Sequence, residues 1–256
     1  MNAVLGDLPT LNLADLYSSP TGTDLDAALK RAADEAAAFA KEYEGKIAAL
    51  DGKGLGGAIA RYERLSDLMG RIGSYASLYY AQNMADAERG RFSQNVSEKL
   101  TDIGSQLVFF RLEINKLEDA DLAAKMKAPE LAKYEPWLRD LRVYRPHQLS
   151  DELEKALHEK YVVGRAAWSR LFDETIARLR YPFRNEVLSE PQILDKLSNK
   201  DPEIRKDAAK SFGKVQGDNI AIFSLVTNTL AKDKEIDDRW RKYARPQSPM
   251  NLANVV

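Results

Sequence analysis

His147 and His158 are the residues in this chain best suited to metal or acid–base chemistry, and what surrounds them decides whether they perform it. His158 opens the stretch "HEKYVVGR", so a histidine–glutamate pair stands on what should be a helix. A hydrolytic zinc helix carries H-E-x-x-H, which sets two histidines at i and i+4 on one face with an activating glutamate between them. Here the i+4 position is Val162, which offers no lone pair to a metal. His147 lies eleven residues upstream, directly after Pro146, where the chain is expected to turn. A catalytic zinc ordinarily takes three protein ligands, and two separated histidines without any cysteine do not supply them. The sequence therefore assigns no catalytic, cofactor-binding or metal-ligating residue, and no zinc is expected on this chain alone. A ferritin-like di-metal site fails the same way. It needs a glutamate three residues ahead of each histidine, and neither has one; Glu154 and His158 sit at i, i+4 and are expected to pair with each other on a helix face.

Other motifs have plainer readings. "GKGLGG", from Gly52 to Gly57, matches a dinucleotide fingerprint in letters only, because a helical pattern and not a strand precedes it. It is read as a flexible helix–helix turn. Asn95-Val96-Ser97 has the form of a glycosylation sequon but falls inside a helical stripe. Tyr75, Tyr79 and Tyr80, with Trp137, Trp168 and Trp240, are read mainly as core, although tyrosines on two faces of one helix also suit a peptide groove. The tract "DDRWRKYARP" is read as a solvated helix end.

The elements that would carry these residues are helices. After "SSPTGTD", apolar positions at Leu25, Leu29, Ala32, Ala36, Phe39, Tyr43, Ile47 and Leu50 keep one face. A second helix is expected over about 58–82, with Ile59, Tyr62, Leu65, Met69, Ile72 and Tyr79 inward. A third begins near Asp86 and carries Phe92, Val96, Leu100, Ile103, Leu107, Phe110, Ile114 and Leu117 without a break. Short connections make these three a long antiparallel, coiled-coil-like arm. Prolines 129, 136 and 146 chop the following stretch into short helices. Ser150 caps a helix with acids in its first turn. "LRYPFRNEVLS" predicts one small hairpin turning at Arg184-Asn185. Asp201 and Pro202 start a further helix, whose stripe runs from Ile204 to Trp240. The fold class is all-α with at most that hairpin. The expected organisation is a long-helix bundle over 1–118 and a second helical region over 119–256, with the hairpin near 179–188.

Composition limits the function classes. With 38 basic and 39 acidic residues the net charge is −1, so no global field favours nucleic acid or anionic lipid. The absence of cysteine removes disulfides, thiolate metal sites and cysteine nucleophiles, and suits a reducing compartment. "MNAVLGDLPTLNLADLY" lacks the basic and apolar regions of a signal peptide, and no apolar run is long enough to span a bilayer. A cytoplasmic location, with no nucleic-acid or membrane partner, is expected.

Several segments in order resemble the N-terminal half of oligoendopeptidase F, a zinc metallopeptidase of the thimet oligopeptidase family. They are "LADLY"; "EYEGKIAAL" leading into "RYERLSDLMGRIGSYASLYYAQN"; "LVFFRLEINKL"; "LRDLRVYRPHQLSDELEKAL"; "GRAAWSRLF"; "LSNKDPEIRKDAAKSF"; and "DDRWRKYARPQSPMNLANVV". The resemblance implies an intracellular enzyme that hydrolyses short peptides in a channel between two helical lobes. Zinc would be the cofactor of the full-length enzyme, with a glutamate as general base. The family's zinc helix and later glutamate ligand match no position here, so neither is carried over. "MNLANVV" resumes an apolar, helix-like pattern and stops, which is read as a chain cut before its catalytic half and inactive alone. The expected partners are short peptide substrates in the full-length enzyme, the chain's own C-terminal half, and further copies of itself through the exposed lobe surface. The alternative is a complete, non-enzymatic helical protein that binds peptides or acts as a scaffold.

Overall fold

The computed structural model describes residues 12–254; the stretch up to Leu11 and the last two valines, both used in the sequence reading, lie outside the described residues. Gly22 precedes α1 (Thr23–Tyr43), which buries Leu25, Ala28, Leu29, Ala32, Ala36 and Phe39 along one side. The helix ends earlier than its apolar stripe does. Gly45 takes a left-handed backbone at φ 75°, which costs a glycine little. Ile47 is then buried from a short 3-10 turn, Ile47–Ala49. The Glu113 carboxylate fixes this connection, accepting the Gly45 N–H at 2.6 Å and the Ile47 N–H at 3.3 Å.

The glycine-rich stretch is not a flexible turn. It opens α2 (Gly52–Ala81) over its first two turns, capped by Asp51, whose side chain accepts the Gly54 N–H at 2.7 Å. Close packing explains the glycines. A Cβ on Gly52 would stand 2.2 Å from the Lys125 carbonyl oxygen, and one on Gly56 would stand 2.8 Å from Glu130 Cβ. At 30 residues α2 is about 45 Å long, and it packs against both α1 and α3 (Ala87–Ser105), which also touch each other. Asp86 caps α3 through the Glu88 and Arg89 N–H groups.

The third helix is not continuous. It stops at Ser105 and restarts after Leu107 as α4 (Val108–Lys116). The apolar stripe survives the break, since Ile103, Leu107, Phe110 and Ile114 are all buried. Beyond it come α5 (Asp119–Lys125), a 3-10 turn at Pro129–Tyr134, α6 (Glu135–Arg142) and a turn at Arg145–His147. Arg142 caps the end of α4, donating to the carbonyls of Ile114, Asn115 and Leu117 at 3.1, 3.0 and 2.8 Å. One hydrophobic core takes in the chain from Tyr17 to Leu141.

Ser150 caps α7 (Asp151–Tyr161), followed by α8 (Arg165–Arg178), and neither helix buries a residue fully. The hairpin forms where expected. Strand β1 (Tyr181–Phe183) pairs antiparallel with β2 (Glu186–Leu188), Tyr181 facing Leu188, and Arg184 turns at φ 53°. Tyr181, Phe183 and Leu188 join Ile193 of α9 (Glu190–Lys196) and Ala208 of α10 (Pro202–Asp218) in a second, small core. Asp201 caps α10 through the Glu203 N–H with Pro202 at its first position, as expected. The long terminal stripe divides at Asn219, giving α11 (Ile220–Trp240), and α12 (Ser248–Ala253) ends the described chain. The fold is all-α with one small hairpin. No helix among the described residues is long and apolar enough to cross a membrane.

Candidate functional site

The break between α3 and α4 opens a cleft of about 600 Å³. The broken helix contributes Gly104, Leu107, Arg111 and Asn115, α2 contributes Tyr62 and Met69, and the turn before α7 contributes Tyr144, His147 and Gln148. Glu154 and His158 of α7 face it from one side, and Asp237, Arg241 and Tyr243 at the end of α11 close the other.

Local chemistry explains why α7 docks here. Gly104 leaves room for the His158 ring, since a Cβ there would lie 2.9 Å from Nε2. That nitrogen stands 3.2 Å from the Thr101 carbonyl, which as an acceptor calls for a proton on Nε2. One residue on, Glu159 accepts the Ser105 hydroxyl at 2.6 Å. The His158–Glu159 pair is thus a docking contact between α7 and the broken helix.

The expected pairing of Glu154 with His158 does not occur. Glu154 is gripped by Arg241, at 2.7 Å to Oε1 and 3.0 Å to Oε2. The same guanidinium donates to Asp237 at 2.9 Å and to the His147 carbonyl at 3.2 Å. His147 Nδ1 donates in return to the Arg241 carbonyl at 2.7 Å, and its ring stacks on Tyr243 with centroids 3.9 Å apart. A planar, five-donor fork suits such an arrangement in a way an ammonium would not. Burial by itself would raise the Glu154 carboxyl, but the Arg241 hydrogen bonds, the Leu149 N–H and the Arg241 charge outweigh it and hold it below the usual range. Arg241 is shifted upward, mainly by its hydrogen bonds to Glu154 and against the cost of burial.

"DDRWRKYARP" is therefore not a solvated helix end. Arg241 and Tyr243 lock it onto the turn before α7, while Trp240 points outward and is 43% exposed, against its reading as core. Tyr75 is core, stacked near Tyr79, and Trp137 packs on Tyr62 at the edge of the cleft. The two histidines that look scattered in sequence line one cleft. Asn115, Gln148, Arg111 and Arg241 were not singled out from sequence. Only Asn115, a polar residue next to a core position on α4, gave a local signal.

These residues do not fit a zinc site. Glu154 is spent on Arg241, and no three potential ligands come together among the described residues.

The sequence model of the oligopeptidase F family matches residues 113–181, from α4 through the start of the hairpin. Among solved structures, the chain is similar to oligoendopeptidase F from Enterococcus faecium, with a TM-score of 0.79 at 20% identity over 91% of this chain and 47% of that one. It is also similar, at a TM-score of 0.52 and 16% identity, to a chain from Chlamydophila abortus with a provisional peptidase description, over 94% of this chain and 41% of that one. This chain thus spans less than half the length of these two solved structures. A comparison with curated proteins finds no match.

Proposed function

We propose that this chain is the N-terminal lobe of an oligoendopeptidase F-like zinc peptidase of the cytoplasm, and that it supplies one wall of the channel in which short peptides are cleaved. The supporting observation is the shared fold, which takes in nearly all of this chain but under half of the Enterococcus enzyme. The family match adds to it, because residues 113–181 include the cleft's α4, its His147 turn and α7.

The lobe acts by shape and recognition. Within the expected bounds of 1–118 and 119–256, the described part of the first carries the long helices α1 to α3, and the second is assigned the surface turned toward a catalytic half. Helices α7, α8 and α11 are thinly buried and leave Phe172, Ile222 and Leu225 at the surface, as a layer awaiting a second lobe would. Zinc and the hydrolytic groups are assigned to that second lobe, and no chemical step is assigned to residues of this one. Restricting access to a channel admits short, flexible peptides and rejects folded chains.

The test is an assay of the whole gene product and of residues 1–256 on short quenched-fluorescent peptides and on a folded protein. The reading expects the gene product to cleave only the peptides, with loss of activity under a chelator, and residues 1–256 to cleave nothing. Peptide binding without cleavage by the whole gene product would favour a non-enzymatic peptide-binding scaffold instead.

A further inference from the structure

The main core ends at Leu141 and the second begins at Tyr181, and among the described residues the two share no side chain. Helix α7 packs on α3 and α4, whereas α8 packs on α11, and α10 on α9, β1 and α11. Two units result, one running up to α7 and the other from α8 to α11. The cleft lies between them. Tyr62, Leu107, Glu154 and His158 face it from the first unit, Asp237, Arg241 and Tyr243 from the second.

Two joints connect the units. Residues 162–164 separate α7 from α8, and a Cβ on Gly164 would stand 2.9 Å from the Lys160 carbonyl oxygen, so this bend is built for glycine. A few such loop residues suffice to absorb the rotation of one packed unit against another. The second joint is polar: Arg241 grips Glu154 and the His147 carbonyl, and Tyr243 stacks on the His147 ring. It is made against two costs. Lys242, between the gripping residues, sits at φ 59°, the left-handed position after a helix that glycine normally fills. Where α8 passes the tip of α2, the Tyr80 hydroxyl is buried without a hydrogen-bond partner. Burial, and then the charges of Glu174 and Asp173 on α8, push its pKa up. Separation of the units would return that hydroxyl to water.

We propose that α8 to α11 form a lid that swings about residues 162–164, held shut over the cleft by the Arg241 clamp and biased open by the cost of burying the Tyr80 hydroxyl. The motion lies within this chain and does not rest on the peptidase reading.

The test uses the absence of cysteine. Lys99→Cys on α3 and Lys210→Cys on α10, both exposed, take spin labels without background. Pulsed electron resonance on residues 1–256, diluted with unlabelled chain, then reads the distance between the units. Wild type should give chiefly one distance. Arg241→Ala should add a second, raising the ratio of open to closed about tenfold or more, the order of losing a charge-assisted fork. Adding Tyr80→Phe to that variant should lower the ratio about fivefold, because the closed state then buries no unpaired hydroxyl. Thermal melting confirms that the variants are folded, and Glu154→Gln, expected to act in the same direction, replaces Arg241→Ala if that variant is not. A single unchanged distance in every folded variant would overturn the lid, and so would a Tyr80→Phe that leaves the ratio unchanged or raises it. Failure of both clamp variants to fold would overturn it too, since the clamp would then be part of the fold and not a catch.

Discussion

At the scale of residues, the Arg241–Glu154 clamp ties the end of α11 to the start of α7 across 87 positions of sequence. Both side chains are largely buried, at 20% and 15% exposure, so the pair is worth more than a surface ion pair. Arg241→Ala should cost about 2 kcal/mol, because Glu154 would stay behind without its donors. A carboxyl held lower in the folded chain stabilises the fold fully above its unfolded value, ordinarily 4.5 for Glu, and loses that stabilisation as pH falls through the folded value. Wild type and Glu154→Gln should therefore differ in melting temperature at pH 7 and converge as pH drops below 4.5. A constant gap down to pH 3 would show that charge is not what Glu154 supplies. None of this was legible in the sequence. Spacing sees partners three or four residues away, so it offered Glu154 the wrong partner in His158 and left Arg241 as surface.

At the scale of elements, three glycines in the first two turns of α2 make opposite predictions. Gly57 has open space around its Cβ direction, so Gly57→Ala should stabilise α2 by about 0.5–1 kcal/mol through helix propensity. Gly52→Ala and Gly56→Ala should instead cost about 1–3 kcal/mol, because the new methyl meets the backbone of Lys125 and of Glu130. Chemical denaturation of the three variants checks the ordering. Leu107→Asp should cost about 3 kcal/mol or more, since Leu107 is 5% exposed within the main core. Sequence reading located the Ser150 and Asp201 caps, the hairpin at Arg184-Asn185 and the stripes of α1 to α3, but it ran α7 and α8 together as one helix and passed over α9 despite its Ser189–Gln192 capping box. It missed the break at 105–107 because the apolar phase runs through it, and it mistook the start of α2 because glycines chosen for close packing look like glycines chosen for a turn.

At the scale of the whole molecule, the order of helices was readable, but the cleft was not, since it forms from segments far apart in sequence. The exposed apolar layer on α8 and α11 is the feature with the largest consequence. Phe172 is 44% and Leu225 53% exposed, and a surface of that kind associates when its partner is absent. Residues 1–256 should sediment as concentration-dependent dimers or larger species, and Ile222→Lys with Leu225→Lys should return a monomer without lowering the melting temperature. The central claim, that this chain is one lobe of a peptidase, is tested most directly by complementation. Residues 1–256 are mixed with the separately expressed remainder of the gene product, and cleavage of a short quenched-fluorescent peptide is followed. The account predicts little cleavage by either piece alone and a rate that rises and saturates with added lobe, as partner binding requires. A remainder that cleaves at full rate alone, or a mixture that stays inactive while the intact gene product is also inactive, would contradict it.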